Sequence, residues 1–140
     1  MIFIDTWIWI EFLAKGAKTE EAKSVIESQA RKAISTAVLA ELRYHSIKKF
    51  GMEETESIMY LIESNESILV VPLTKEIAKT AADIRLKYYD KKVRDMSFID
   101  AINLATGIFT NCSKFYTGDK DFDGVTEIEI INIRKTKKAE

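Results

Sequence analysis

Four carboxylates in this chain stand where an apolar, strand-like run gives way to a helix or a loop. Asp5 follows Ile2-Phe3-Ile4, Glu41 lies beyond Ile34-Ser35-Thr36, Asp100 closes Ser97-Phe98-Ile99-Asp100, and Asp119 follows Phe115-Tyr116-Thr117-Gly118. Gathered at one edge of a sheet, such acids repel: two carboxylates about 4 Å apart oppose each other by roughly 4 kcal/mol at an effective dielectric near 20. A cluster of four therefore needs a divalent cation, shared protons or separation. A lone Cys112 and a lone His45 exclude an intrachain disulfide and a zinc site of cysteines and histidines. Any metal here must be held by oxygen.

Each acid also has a plainer reading. Asp5 could cap the helix that follows it, as could Thr6. Glu41 sits one turn inside its helix at the border of the apolar stripe, where a carboxylate is costly to bury unless it is paired or bound to metal. Ser97-x-x-Asp100 matches a capping box. Yet the surrounding helix is apolar on almost every side, and Asp100, Asn103 and Gly107 trace a narrow polar seam along it, which requires a partner. The run Asp119-Lys-Asp121-Phe-Asp123-Gly124 copies the first half of a calcium-binding EF-hand loop, but Ile130 stands where the twelfth-position Glu belongs and a strand precedes it. A solvated turn is the plain alternative there. No glycine-rich phosphate loop appears, and no Cys or Ser nucleophile has a histidine available other than His45.

Positioning these residues requires alternating elements. Strands are expected at Ile2 to Ile4, Ala33 to Thr36, Ile68 to Val71, Lys114 to Thr117 and Glu127 to Ile133. Helices are expected over Trp7 to Ala14, Thr19 to Arg31, Ala37 to Phe50, Met52 to Asn65, Lys75 to about Asp90 and Ser97 to about Asn111. Alternation implies an α/β fold with a mainly parallel sheet covered on both faces. In such a sheet, functional groups collect beyond the carboxyl ends of the strands near the topological switch point. The four acids fall at or near such ends.

A length of 140 residues suits one domain. We expect it to cover 1–133, with a basic, flexible tail over 134–140 that holds Arg134, Lys135, Lys137 and Lys138. The net charge of −1 gives no global attraction to nucleic acid, so any such attraction comes from local patches. One is that tail; the other is Arg85, Lys87, Lys91, Lys92 and Arg94 around Tyr88 and Tyr89, and both could equally be solvated surface. No targeting or membrane-spanning segment is apparent, so a cytoplasmic protein with no membrane partner is expected. Trp7 and Trp9, two apart, point about 200° from each other on a helix, so one is expected to pack inward and the other to meet a partner chain or a neighbouring helix.

The ordered set Asp5, Glu41, Asp100 and Thr117-Gly118-Asp119, with Phe122 shortly after, resembles a PIN-domain ribonuclease, and the chain's length resembles the VapC-type toxins of toxin–antitoxin pairs. The resemblance implies a three-layer α/β/α sandwich with a five-stranded sheet, a Mg²⁺ or Mn²⁺ site, cleavage of RNA, homodimers and inhibition by a small antitoxin. It implies that Asp5, Glu41, Asp100 and Asp119 are the catalytic, metal-binding acids, joined by Asp121 or Asp123. Thr6, Thr117 and Asn103 would support them, and Lys91, Lys92 and Arg94 are candidates for contact with RNA. Other readings are a catalytically silent PIN-like module that binds RNA or protein, and a structure-specific DNA nuclease.

Overall fold

The computed structural model describes residues 1–135; Lys137 and Lys138 of the expected tail lie outside the described residues. Five strands form one wholly parallel sheet: β1 (Ile2–Ile4), β2 (Lys32–Ser35), β3 (Ile68–Val71), β4 (Lys114–Thr117) and β5 (Glu129–Asn132), in the order β3-β2-β1-β4-β5. The helices are α1 (Thr6–Leu13), α2 (Thr19–Ile26), α3 (Thr36–Phe50), α4 (Met52–Ser64), α5 (Lys75–Tyr88) and α6 (Phe98–Phe109). From β1 the chain steps outward to β2 and β3, then crosses back to β4 on the other side of β1. Because parallel crossovers are right-handed, that reversal sends α5 and α6 to the face opposite the earlier helices. The result is the expected α/β architecture, and its switch point is β1.

The sequence explains why β1 can sit at the centre. Ile2, Phe3 and Ile4 are all buried, as a strand covered on both faces demands. Phe3 stacks on Phe115 of β4, with ring centroids 4.9 Å apart, and Phe115 meets Phe122 at 4.8 Å. Helix α6 presses on this layer through Gly107, where an added Cβ would lie 3.3 Å from Ile128 Cδ1 and 3.5 Å from Phe3 Cβ. Gly107 therefore serves close packing against the sheet and does not extend the polar seam of Asp100 and Asn103.

Several boundaries differ from expectation, each for a local reason. Helix α2 ends at Ile26, although Ala30 continues the helical spacing. Buried Lys32 instead turns its ammonium back onto the carbonyls of Ser28 and Ala30, at 2.7 and 2.8 Å, which fixes a turn into β2. Helix α3 begins at Thr36, because Ser35 accepts a hydrogen bond from Val38 N and so acts as the N-cap rather than as mid-strand. Strand β5 is shorter than expected at both ends, since β4 offers it four partners, Lys114 to Thr117. Beyond β5, Arg134 N and Lys135 N donate to Asn132 at 3.0 and 3.1 Å.

Gly107→Val would force two methyl-bearing branches into the Phe3–Phe115–Ile128 contact. We expect a loss of about 1–3 kcal/mol in unfolding free energy, measured by urea denaturation.

Candidate active site

The carboxyl ends of β1, β2 and β4 deliver Asp5, Ser35 and Thr117 to one place, and α6 brings Asn103 up to meet them. Asp5 occupies the N-cap position of α1, but its carboxylate makes no capping bond. It turns inward instead: Thr117 Oγ1 donates to Asp5 Oδ2 at 2.8 Å and Asn103 Nδ2 to Asp5 Oδ1 at 3.3 Å. Its side-chain partners lie 98 and 112 residues away, so Asp5 does more than mark the start of α1. Asn103 in turn accepts from Ser35 Oγ at 2.5 Å, and Thr117 Oγ1 accepts from Asp119 N at 3.0 Å. One buried network therefore joins the ends of three strands to α6.

Ser35 joins the site without a sequence signal of its own. A serine before a helix signals an N-cap, which it is, but nothing local reveals that the same hydroxyl donates to a residue on α6.

Around this hub stand the other acids. Asp100 does form the capping box with Ser97, through two bonds of 3.0 Å, and the cap holds its carboxylate at the head of α6. Asp119 opens a single 3-10 turn, Lys120–Phe122, accepting from Asp121 N at 2.8 Å. Carboxylate oxygens of Asp100, Asp119 and Asp121 lie within 4.8 Å of one another. Glu41 is half-buried and accepts from Thr6 Oγ1 at 2.7 Å. It stands outside that tight trio, but near enough to act electrically on Asp5 and Asp100.

Of the two remaining loop acids, the turn brings Asp121 in and leaves Asp123 out. Asp121 also accepts from Asp95 N at 3.1 Å, which fastens the loop to the segment before α6. Asp123 is ion-paired with Lys135 at 2.5 Å. Arg94 is committed inside the fold as well: it donates to Asp123 O at 2.7 Å and Tyr88 O at 3.3 Å, and its guanidinium lies over the Tyr88 ring. Lys91 and Lys92 remain exposed on the turn closed by the Asp90–Arg94 bridge.

Trp9 is the buried member of its pair. Trp7, half-buried, lies over Gly118, where an added Cβ would fall 2.3 Å from its indole. Only glycine fits between Thr117 and Asp119 for that reason.

The electrostatics follow from this crowding. Burial pushes the Asp5 carboxyl up to about 7, the Thr117 hydrogen bond pulls it back, and Asp100 and Glu41 push it further up. Burial pushes Asp100 up to about 6, against its bonds to Ser97 and reinforced by Asp119 and Glu41. Asp119 is raised too, first by burial. Asp5 and Asp100 thus hold protons well above the ordinary carboxylate range unless positive charge joins them. Oxygen-only donors at this spacing, partly buried and lacking a cationic side chain among the trio, fit a hard divalent ion.

Residues 2–128 match the PIN domain. The chain belongs to the PIN-domain family. No curated protein matches it in sequence. Among solved structures it is similar to VapC20 of Mycobacterium tuberculosis, a sarcin-ricin loop cleaving toxin, with a TM-score of 0.74 at 23% identity over 92% of this chain and 99% of that one. It is also similar to a toxin–antitoxin complex from Klebsiella pneumoniae, with a TM-score of 0.72 at 23% identity over 95% and 98% of the two chains. FitAcB from Neisseria gonorrhoeae gives 0.73 at 18% identity over 97% and 100%. These likenesses establish a shared PIN fold. Among the described residues, no helix is long and apolar enough to cross a membrane.

The raised carboxyls predict a pH dependence. Between about pH 4 and about pH 7 the folded chain binds more protons at Asp5 and Asp100 than the unfolded chain does, so metal-free stability falls as pH rises. A divalent ion binds the deprotonated acids and acts in the opposite sense. We expect the melting temperature in EDTA to decline from about pH 5 to about pH 7.5, the decline to lessen in Asp100→Asn, and Mn²⁺ to raise it more at the higher pH. Scanning calorimetry reads all three; a flat EDTA profile would count against a buried acidic cluster.

Proposed function

We propose that the protein is a metal-dependent endoribonuclease, the toxin of a toxin–antitoxin pair. The observation that carries this reading is the trio Asp100, Asp119 and Asp121, with oxygens within 4.8 Å of one another, standing beside the buried carboxylate of Asp5. PIN-family membership and the likeness to toxins of known structure support it.

In this reading Asp100, Asp119 and Asp121 hold Mg²⁺ or Mn²⁺ directly, and Asp5 and Glu41 complete the negative field. A bound ion supplies charge neutralisation for the phosphodiester and lowers the pKa of water. The chain's own part is orientation. Thr117 and Asn103 fix both oxygens of Asp5, Thr6 fixes Glu41, and the capping box fixes Asp100. These bonds keep the carboxylates aimed before substrate arrives, which removes reorganisation from the reaction. Lys91 and Lys92 remain candidates for RNA contact, while Arg94 serves the fold.

The partner side of the reading has its own surface. Trp9, Phe12 and Leu13 of α1, Ile26 of α2 and Leu61 and Ile62 of α4 line an apolar groove of about 190 Å³. The buried Trp9 Nε1 finds no acceptor among the described residues, and Leu61 is 68% exposed. A groove of this kind suits the apolar side of a helix, and we assign it to the antitoxin. Homodimer formation and residence in the cytoplasm belong to the same proposal.

The test is cleavage of a pooled RNA in Mg²⁺ or Mn²⁺ by wild type and by Asp100→Asn. We expect cleavage by wild type, abolition by EDTA, and a loss of about a hundredfold or more in the variant. Equal rates for the two proteins would sink the proposed site. Stable co-purification with the product of an adjacent reading frame, weakened by Leu61→Glu, is the expected result for the groove.

A further inference from the structure

Next to the acids lies a hollow of the opposite sign. Gly118, Lys120, Asn132, Arg134 and Lys135 line a cavity of about 240 Å³ at the carboxyl ends of β4 and β5. It shares a turn with the acidic site, since Gly118 and Lys120 flank Asp119 in the chain. Its frame is firmly built. Asn132 Nδ2 donates to Asp119 O at 3.3 Å, Ile133 N donates to Thr117 O at 2.9 Å, and Arg134 N returns to Asn132 Oδ1 at 3.0 Å. One residue, Asn132, therefore secures the backbone of Asp119 and turns the chain so that Arg134 joins the rim.

The three cations are not equivalent. Lys135 is already neutralised by Asp123. Lys120 offsets part of the charge on Asp119 but makes no ion-pair contact with it, and the Arg134 guanidinium has no hydrogen bond or ion pair among the described residues. Two positive groups that line one hollow repel each other, and an anion between them converts that repulsion into attraction. The cavity is smaller than the roughly 300–1,000 Å³ usual for drug-sized ligands, so it suits a single phosphate group better than a whole nucleotide. A planar guanidinium and a mobile ammonium are the two side chains best matched to phosphate oxygens.

We propose that this hollow binds one backbone phosphate of the RNA strand, adjacent to the phosphodiester presented to the acids. The proposal rests on the nuclease reading above. An RNA strand that approaches Asp5, Glu41, Asp100 and Asp119 meets negative charge, and a cationic hold beside Asp119 counters it. The hold also sets the register of the strand, because phosphate contacts position a nucleic acid without reading its sequence.

The test compares wild type with the Lys120→Gln/Arg134→Gln double variant. A fluorescein-labelled single-stranded RNA of about eight nucleotides is titrated in EDTA by fluorescence anisotropy at several salt concentrations. We expect the variant to bind about tenfold more weakly at low salt. The plot of log affinity against log salt should become shallower by about 0.7, the value for one phosphate contact to a single strand. Mn²⁺ affinity, read by calorimetry, should stay within about twofold of wild type. A variant with wild-type affinity and slope overturns the proposal, as does a wild type whose RNA binding is insensitive to salt. If the double variant loses its folded circular dichroism spectrum, the exposed single variant Arg134→Gln serves the same comparison. Cleavage in Mn²⁺ separates the two claims: a protein that cuts RNA but shows no change in slope loses the phosphate hollow alone, and one whose slope shifts without cleavage loses the nuclease reading.

Discussion

The arrangement depends on the burial of one carboxylate, that of Asp5. A buried acid is tolerated only when its oxygens are satisfied, and here each oxygen has one donor, from Thr117 on β4 and Asn103 on α6. Those donors are themselves held: Thr117 accepts from Asp119 N, and Asn103 accepts from Ser35 at the end of β2. Every segment that contributes an acid is thus tied, directly or at one remove, to Asp5. The reversal of strand order at β1 makes this possible, since it leaves open a crevice into which the ends of β1, β2 and β4 all point.

The same crowding sets a tension between folding and chemistry. Burial, reinforced by neighbouring carboxylates, raises the proton affinity of Asp5, Asp100 and Asp119, which is a cost that the fold carries unless positive charge is present. The rest of the molecule offsets it through rigid fastening. The aromatic stack of Phe3, Phe115 and Phe122 anchors β1, β4 and the acidic loop in one layer. The connector before α6 grips the loop from the far side, through Asp95 N on Asp121 and Arg94 on the carbonyl of Asp123.

Much of this was legible from pattern. The apolar runs of β1 and β3 and the Phe-Tyr-Thr of β4 carry their own boundaries, because short β-branched or aromatic runs ended by Asp, Pro or Gly admit few alternatives. The capping box of Asp100 is a local signal and forms as expected. What failed was whatever depends on distant partners. Asp5 and Thr6 advertise a cap, but partners far along the chain claim the Asp5 side chain. The spacing of Ala22, Val25, Ile26 and Ala30 favours a longer α2, yet the ammonium of buried Lys32 needs the carbonyls of Ser28 and Ala30. Asp121 and Asp123 are equal by spacing, and the 3-10 turn with the Lys135 ion pair distinguishes them. By composition Arg94 belongs to a basic surface run, yet its side chain is held by the carbonyls of Asp123 and Tyr88.

Trp7 and Trp9 give the molecule a property of another kind. One helical turn aims the two indoles at separate regions: Trp7 lies on Gly118, one residue from Asp119, and Trp9 lines the apolar groove between α1, α2 and α4. Their emission therefore samples two environments, an acid-rich turn and a dry hydrophobic wall. They are the chain's only tryptophans, so replacing either by phenylalanine would leave the other as a native optical reporter, one of the acid-rich turn and one of the apolar groove.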